Sequence, residues 1–200
     1  RMKQHLLVAM MCVALGLTSR AEPAPRSLVV TSMGPVSTQA VAHVAGWART
    51  NLALPVIVGA PLAEQVKTIE EAIALGTQKR PPQQVGLVIL IQPQETSSAH
   101  VVLRPEHGVA IINVAAMQVD GAAAATVQAR LERQVIRGIC MLMGLESSPN
   151  PFSAMAVYSS LAELDSIGRN LDPPWLVRLQ KAALEKWLEL DRENPLYMLN

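Results

Sequence analysis

The sequence predicts a mixed α/β fold, in the α+β sense of one mixed sheet with helices packed on it. Two observations predict it. Short apolar runs bounded by turn residues alternate with longer stretches of helical periodicity through the first half of the chain, the pattern of strands and helices sharing one sheet. Half of the 200 residues are apolar and 16% are charged, which is ample material for one packed core. The large rings are few: Trp47, Phe152, Tyr158, Trp175, Trp187 and Tyr197. The core must then be built from aliphatic residues and methionine, through close backbone packing.

The first residues read as an address. Leu6 to Leu17 (LLVAMMCVALGL) follows the basic Lys3, and Ser19 and Ala21 supply small residues where a signal peptidase reads. A signal peptide over 1–21, cleaved after Ala21, is expected. A retained anchor is the alternative, although the run is well short of the roughly 20 residues that span a bilayer. Cleavage would remove Arg1, Lys3 and Arg20 and no acid, giving a mature net charge of −2. It would leave Cys140 as the only thiol, which excludes a disulfide framework and a multi-thiolate zinc site within the chain. The expected product is an exported protein, periplasmic or secreted, with no transmembrane segment after cleavage. Near-neutral charge and scarce aromatic residues argue against a nucleic-acid partner.

Residues 22–200 are expected to form one domain with its core in 27–190. Ser27 to Ser32 (SLVVTS) reads as a buried strand ended by Gly34-Pro35. Ser37-Thr38 opens a helix to about Leu52, with Val41, Val44, Ala45 and Ala48 on one face. Pro55 to Gly59 is a second strand. Val66, Ile69 and Ile73 place a helix over Ala63 to Leu75. Val85 to Ile91 (VGLVILI) is the strongest strand, and Val101 to Leu103 and Val109 to Val114 follow around Arg104 to Gly108. Ala122 to Leu145 predicts a long helix with Val127, Leu131, Ile136, Ile139, Cys140 and Met143 as its buried stripe, closed near Gly144. A short helical stretch, Leu161 to Ile167, precedes a last helix over Trp175 to Leu190. Its apolar face is Leu176, Leu179, Ala183, Leu184, Trp187 and Leu188.

Catalytic signatures are missing. The chain has no Gly-rich phosphate loop, no Gly-x-Ser-x-Gly elbow and no His-Glu-x-x-His. His43 reads as a partly exposed helix residue. His100 and His107, with Glu106, flank a short strand and would make at most a weak metal site. Asp120, Glu132 and Asp165 read as turn or helix-surface acids, Cys140 as an inert core thiol, and Met141 and Met143 as core filler.

One stretch carries a resemblance. Arg137 to Ser148 (RGICMLMGLESS) and the following PNPFSAMAVYSSLAELD, to Asp165, resemble the zinc segment of the archaemetzincin family of metallopeptidases. The family pattern is His-Glu-x-x-His-x-x-Gly-x-x-His-Cys, then Cys-x-Met, then Ser-Leu-x-Glu-Leu/Ile-Asp. Gly144 falls on the helix-breaking glycine, Met155 on the methionine of the Met-turn, and Ser160 to Asp165 on the segment after it. The resemblance implies a metzincin-like domain with a long active-site-type helix and a C-terminal helix. It also implies that the zinc-ligand positions are Arg137, Met141 and Ser147, that the general-base position is Gly138, and that the structural-zinc cysteine positions are Ser148, Ser153, Asp172 and Trp175. Arginine has no lone pair to give a metal, methionine is a poor zinc ligand, and glycine cannot take a proton from water. No metal and no cofactor are therefore expected, and no catalytic residue. The implied function is a silent relative that binds a peptide or protein partner in the former substrate cleft. An edge strand resembling Gly108 to Asn113 (Gly108, Val109, Ala110, Ile111, Ile112, Asn113) would pair with the peptide backbone, and Arg137 in the cleft floor would attract a carboxylate. Two other readings are a structural subunit docking through the last helix and a peptidase with re-wired ligands at His100, Glu106 and His107.

Overall fold

The computed structural model describes residues 26–199. The proposed signal segment lies outside them. Among the described residues no helix is long and apolar enough to cross a membrane.

The elements are β1 (Ser27–Met33), α1 (Thr38–Leu52), β2 (Val56–Val58), α2 (Ile69–Lys79), β3 (Gln84–Ile91), β4 (Val101–Arg104), β5 (Val109–Asn113), α3 (Ala124–Leu142), α4 (Leu161–Ser166) and α5 (Pro173–Glu185). Five strands form one mixed sheet in the order β2-β1-β3-β5-β4. The first four are mutually parallel, and β4 pairs antiparallel with β5. Both faces of the sheet are covered, which is why β3 reads as an unbroken apolar run. Leu28, Val30, Val88, Leu90, Ala110 and Ile112 point to the face under α1 and α3. Val29, Leu87, Ile89, Val109 and Ile111 point to the face under α2, with Ile69 and Ala72.

Several boundaries differ from the sequence expectation. The second helix starts at Ile69 rather than Ala63, because the Thr68 hydroxyl caps it by accepting from Glu71 N at 3.1 Å. The last helix ends at Glu185 rather than Leu190. Trp187 takes a left-handed conformation (φ 62°), while Trp187 N and Leu188 N bond back to Leu184 O and Ala183 O. This is the hydrogen-bond pattern of a glycine-closed helix end, here carried by a tryptophan. It turns Trp187 out of the expected apolar face to 78% exposure, and Leu184 is also exposed. Helix α3 closes in the same way at Gly144 (φ 90°), with Gly144 N to Met141 O and Leu145 N to Cys140 O both at 3.0 Å.

The expected edge strand is corrected. Val109–Asn113 is internal, paired with β3 on one side and β4 on the other, and all five of its residues are buried. Gly108 precedes it in a left-handed conformation (φ 64°) that closes the turn from β4. The outer strand on this side is β4, whose four residues are half-buried.

Candidate functional site

Helix α3 runs beneath β5 and β4, and 12 of its 19 residues are buried. One side is the apolar stripe expected from the sequence. Cys140 belongs to it, fully buried, and burial pushes its thiol far above the usual range. The other side is a row of polar residues that tie the helix to the segment 156–169.

Arg130 is 2% exposed and uses all five of its donors. Nε and Nη2 donate to the two oxygens of Asp165 (2.8 and 2.6 Å), Nη1 and Nη2 to those of Asp120 (2.9 and 2.6 Å), and Nη1 also to Met117 O (2.6 Å). Glu132 is fully buried and accepts from Arg169 and from the His43 ring, which in turn meets Gln128. Arg133 donates to Ile167 O and Asp165 O, both at 3.1 Å. Asp165 and Glu132 are thus partners of buried or charged groups rather than solvated surface acids, and His43 is a bonded residue. The Arg130 guanidinium holds the Asp120 carboxyl at about 2, against 3.8 ordinarily. A carboxylate whose folded pKa is depressed contributes stability that is present above the unfolded pKa and is lost as pH falls through the folded one. Asp120→Asn is therefore expected to flatten the loss of stability between about pH 4 and pH 2. Urea midpoints across that window check it, and an unchanged slope would remove Asp120 from the acid response.

The three positions that resemble zinc ligands lie at the C-terminal half of α3 and just beyond. Arg137 is half-buried. Its Nη1 donates to Ala156 O at 2.7 Å and its Nη2 to Ser147 Oγ at 3.3 Å, so two of the three positions are joined directly. Its guanidinium carbon lies 5.5 Å from the centre of the Tyr158 ring. Gln134 donates to the Tyr158 hydroxyl at 3.0 Å, and the His100 ring stacks on Tyr158 at 5.8 Å and 9°. Burial lowers the pKa of Arg137, raises that of Tyr158 and, together with the Arg130 charge, lowers that of His100. Met141 is half-buried against the core. At Gly138 the helix comes so close to the sheet that a Cβ would stand 3.3 Å from that of Ala110, so residue 138 serves packing.

This donor set does not suit zinc. A guanidinium is a cation with no lone pair, and it is bonded to the only hydroxyl among the three positions. Among the described residues there is no group of three or more His, Cys, Asp or Glu that could hold a metal ion. His100 and His107 are not brought together: β4 separates them, and four residues at about 3.4 Å each keep them at opposite strand ends. The positions resembling structural cysteines bond among themselves and their neighbours. Ser148 Oγ donates to Asp172 at 3.1 Å, Ser153 Oγ accepts from Met155 N at 3.3 Å, and Trp175 Nε1 donates to Glu146 O at 2.9 Å. Met155 is fully buried, and its carbonyl accepts from Ser148 N at 2.9 Å.

Sequence reasoning found α3, Met155 and Arg137. It missed Tyr158 and His100 as their neighbours, because the stacking joins residues 58 positions apart and leaves no local pattern.

Compared by sequence, the chain matches no family model and no curated protein. Compared by structure, it is similar to three solved archaeal proteins. The archaemetzincin of Methanopyrus kandleri superposes with a TM-score of 0.63 at 14% identity, over 82% of this chain and 99% of that one. A zinc-dependent peptidase from Methanocorpusculum labreanum gives 0.61 at 16% identity, over 76% and 100%. The archaemetzincin of Archaeoglobus fulgidus, solved with malonate, gives 0.56 at 12% identity, over 75% and 98%. The fold is archaemetzincin-like, a five-stranded mixed sheet packed against helices.

Proposed function

We propose that the chain is an exported, catalytically silent archaemetzincin-like protein that binds an extended peptide along β4, in what resembles the substrate cleft of a metallopeptidase. The observation that carries this reading is the Arg137–Ser147 hydrogen bond, which sets a cation between positions where the resemblance expects zinc ligands. Hydrolysis by metal-activated water needs an electron-pair donor set and a base, and Arg137, Met141, Ser147 and Gly138 supply neither. Peptide pairing needs only backbone groups, so it outlasts the loss of that chemistry.

The strand that offers those groups is β4. Asn113 N donates to His100 O at 3.0 Å, and antiparallel ladders alternate from such a pair. By that alternation Val102 and Arg104 turn their backbone groups to β5. Val101 and Leu103 then present theirs outward, about 6.8 Å apart. Leu103 O already accepts from Arg104 Nη1 at 2.9 Å, so Val101 N, Val101 O and Leu103 N are the groups left to a peptide. The apolar run Leu6–Leu17 supports export to a periplasm or to the exterior.

Purified protein dialysed without chelator is expected to hold no stoichiometric zinc and to cleave no general peptidase substrate. Elemental analysis and a peptidase assay check this. Stoichiometric zinc together with chelator-blocked cleavage would overturn it.

The exposed Val177, Leu184 and Trp187 on and after α5 favour a second reading, a docking subunit. Leu184→Ser with Trp187→Ser tests it through oligomeric state and co-purification. Deleting α5 would not, because Leu176, Leu179 and Ala183 belong to the core.

A further inference from the structure

We infer that the site selects peptides by their free C-terminus. The terminal carboxylate sits on Arg137, and the residues before it pair antiparallel with β4. This rests on the reading of β4 as a peptide-docking edge and adds its polarity and the chemistry of its end.

The argument begins with the three arginines of α3. Arg130 is neutralised by Asp120 and Asp165. Arg133 lies within the field of Asp165 and Glu132. Arg133 and Arg137 both lack a carboxylate within ion-pair distance among the described residues, but Arg137 also lacks the nearby acids that Arg133 has; its two bonded partners, Ala156 O and Ser147 Oγ, are both neutral. A half-buried guanidinium has lost part of its hydration, and neutral acceptors on two of its five donors replace only some of it. Nε–H and one N–H on each terminal nitrogen remain for a ligand. A carboxylate matches that fork with two parallel, charge-assisted bonds. The Ser147 hydroxyl accepts from Arg137 through its oxygen, which leaves its own proton free to donate to the same carboxylate.

Position then sets direction. Strand β4 begins at Val101, directly after His100, whose ring stacks on Tyr158. Arg137 lies against that same Tyr158 ring. The cation therefore stands at the N-terminal end of β4. A peptide running antiparallel to β4 brings its C-terminus to this end, where a carboxylate is attracted. A parallel one brings its ammonium, which the guanidinium repels. An internal stretch of a longer chain brings a neutral peptide bond and gains neither.

The test compares two pools of N-acetylated random hexapeptides, one with free carboxylates and one with C-terminal amides, by retention on the immobilised protein. Members enriched in each pool are then titrated singly against ¹⁵N-labelled protein. The free acids are expected to bind at least about tenfold tighter than their amides, the scale of one charge-assisted pair. Their binding should shift the amide signals of Val101 and Leu103. Arg137→Gln should abolish the difference between acid and amide. The wild-type comparison stands even if that variant fails to fold. Equal retention of acids and amides would overturn selection by the C-terminus and leave β4 as a peptide edge. Retention of neither pool would overturn the edge-strand reading and this inference with it. Acids that bind without moving the Val101 and Leu103 signals would place the carboxylate elsewhere and overturn it as well.

Discussion

Asp165→Ala is expected to destabilise the protein by about 3 kcal/mol at pH 7, the lower end of what breaking a buried ion pair costs. The side chain removed is itself 31% exposed, so its own desolvation is minor; the cost arises at its partner. Arg130 is 2% exposed and would keep its charge, having lost the acceptors of Nε and of one Nη2 donor. Asp120 would still hold the other side of the guanidinium, which places the cost at the lower end of the range. The pair also clamps α3 to α4, so its loss loosens the segment that delivers Ala156 and Tyr158 to Arg137. Arg130→Met combined with Asp165→Ala should cost less than the two single changes added together, because no buried charge is left without its partner. Urea unfolding of the two single variants and the double variant measures that coupling. A loss under about 1 kcal/mol for Asp165→Ala would mean that the pair behaves as a solvated surface bridge.

The same helix shows what a sequence can and cannot reveal. Its apolar stripe was legible because Val127, Leu131, Ile136, Ile139 and Cys140 recur at helical spacing, and each is buried. Its buried polar residues were not. Arg130, Glu132, Arg133 and Gln134 have the composition of a solvated face, yet all four are buried. Asp165, Arg169, Ile167 and Tyr158, which tie them to the following segment, lie 24 to 37 residues further on, and His43 lies 89 residues before Glu132. A pairing at that separation has no periodicity to read. The edge of the sheet was legible in principle. VAIIN is apolar on successive residues, the mark of a strand covered on both faces, whereas VVLR ends in a charge and stands half-exposed as an edge strand does. The resemblance of Gly108 to Asn113 to an edge strand outweighed that composition, and the pairing of β5 with both β3 and β4 corrects it. Arg137 beside Ser147 followed from the resemblance alone, since ten residues and a helix end separate them in the chain.

Met155→Ala should cost about 2–5 kcal/mol, as for other large-to-small changes in a core. Met155 is fully buried between Ala154 and Ala156, which are buried too, in the cluster that contains Ile136, Ile139 and Cys140 of α3. Its backbone is fixed on both sides, by Met155 N to Ser153 Oγ and by Ser148 N to Met155 O. The turn therefore cannot easily collapse into the space that a truncated side chain would leave. Leucine, of similar volume, should cost under about 1.5 kcal/mol. For a chain of this size each kcal/mol lowers the melting temperature by about 2–4 °C, so the alanine and leucine variants are separable by calorimetry. If packing in the core around α3 holds this side chain in place, as its burial in that cluster indicates, the loss should be the same with and without a chelator. An alanine variant that melts with the wild type would show that the segment around Met155 is not packed on α3. Arg137 would then lose the carbonyl of Ala156 that orients it, and with it the geometry from which peptide selection is proposed.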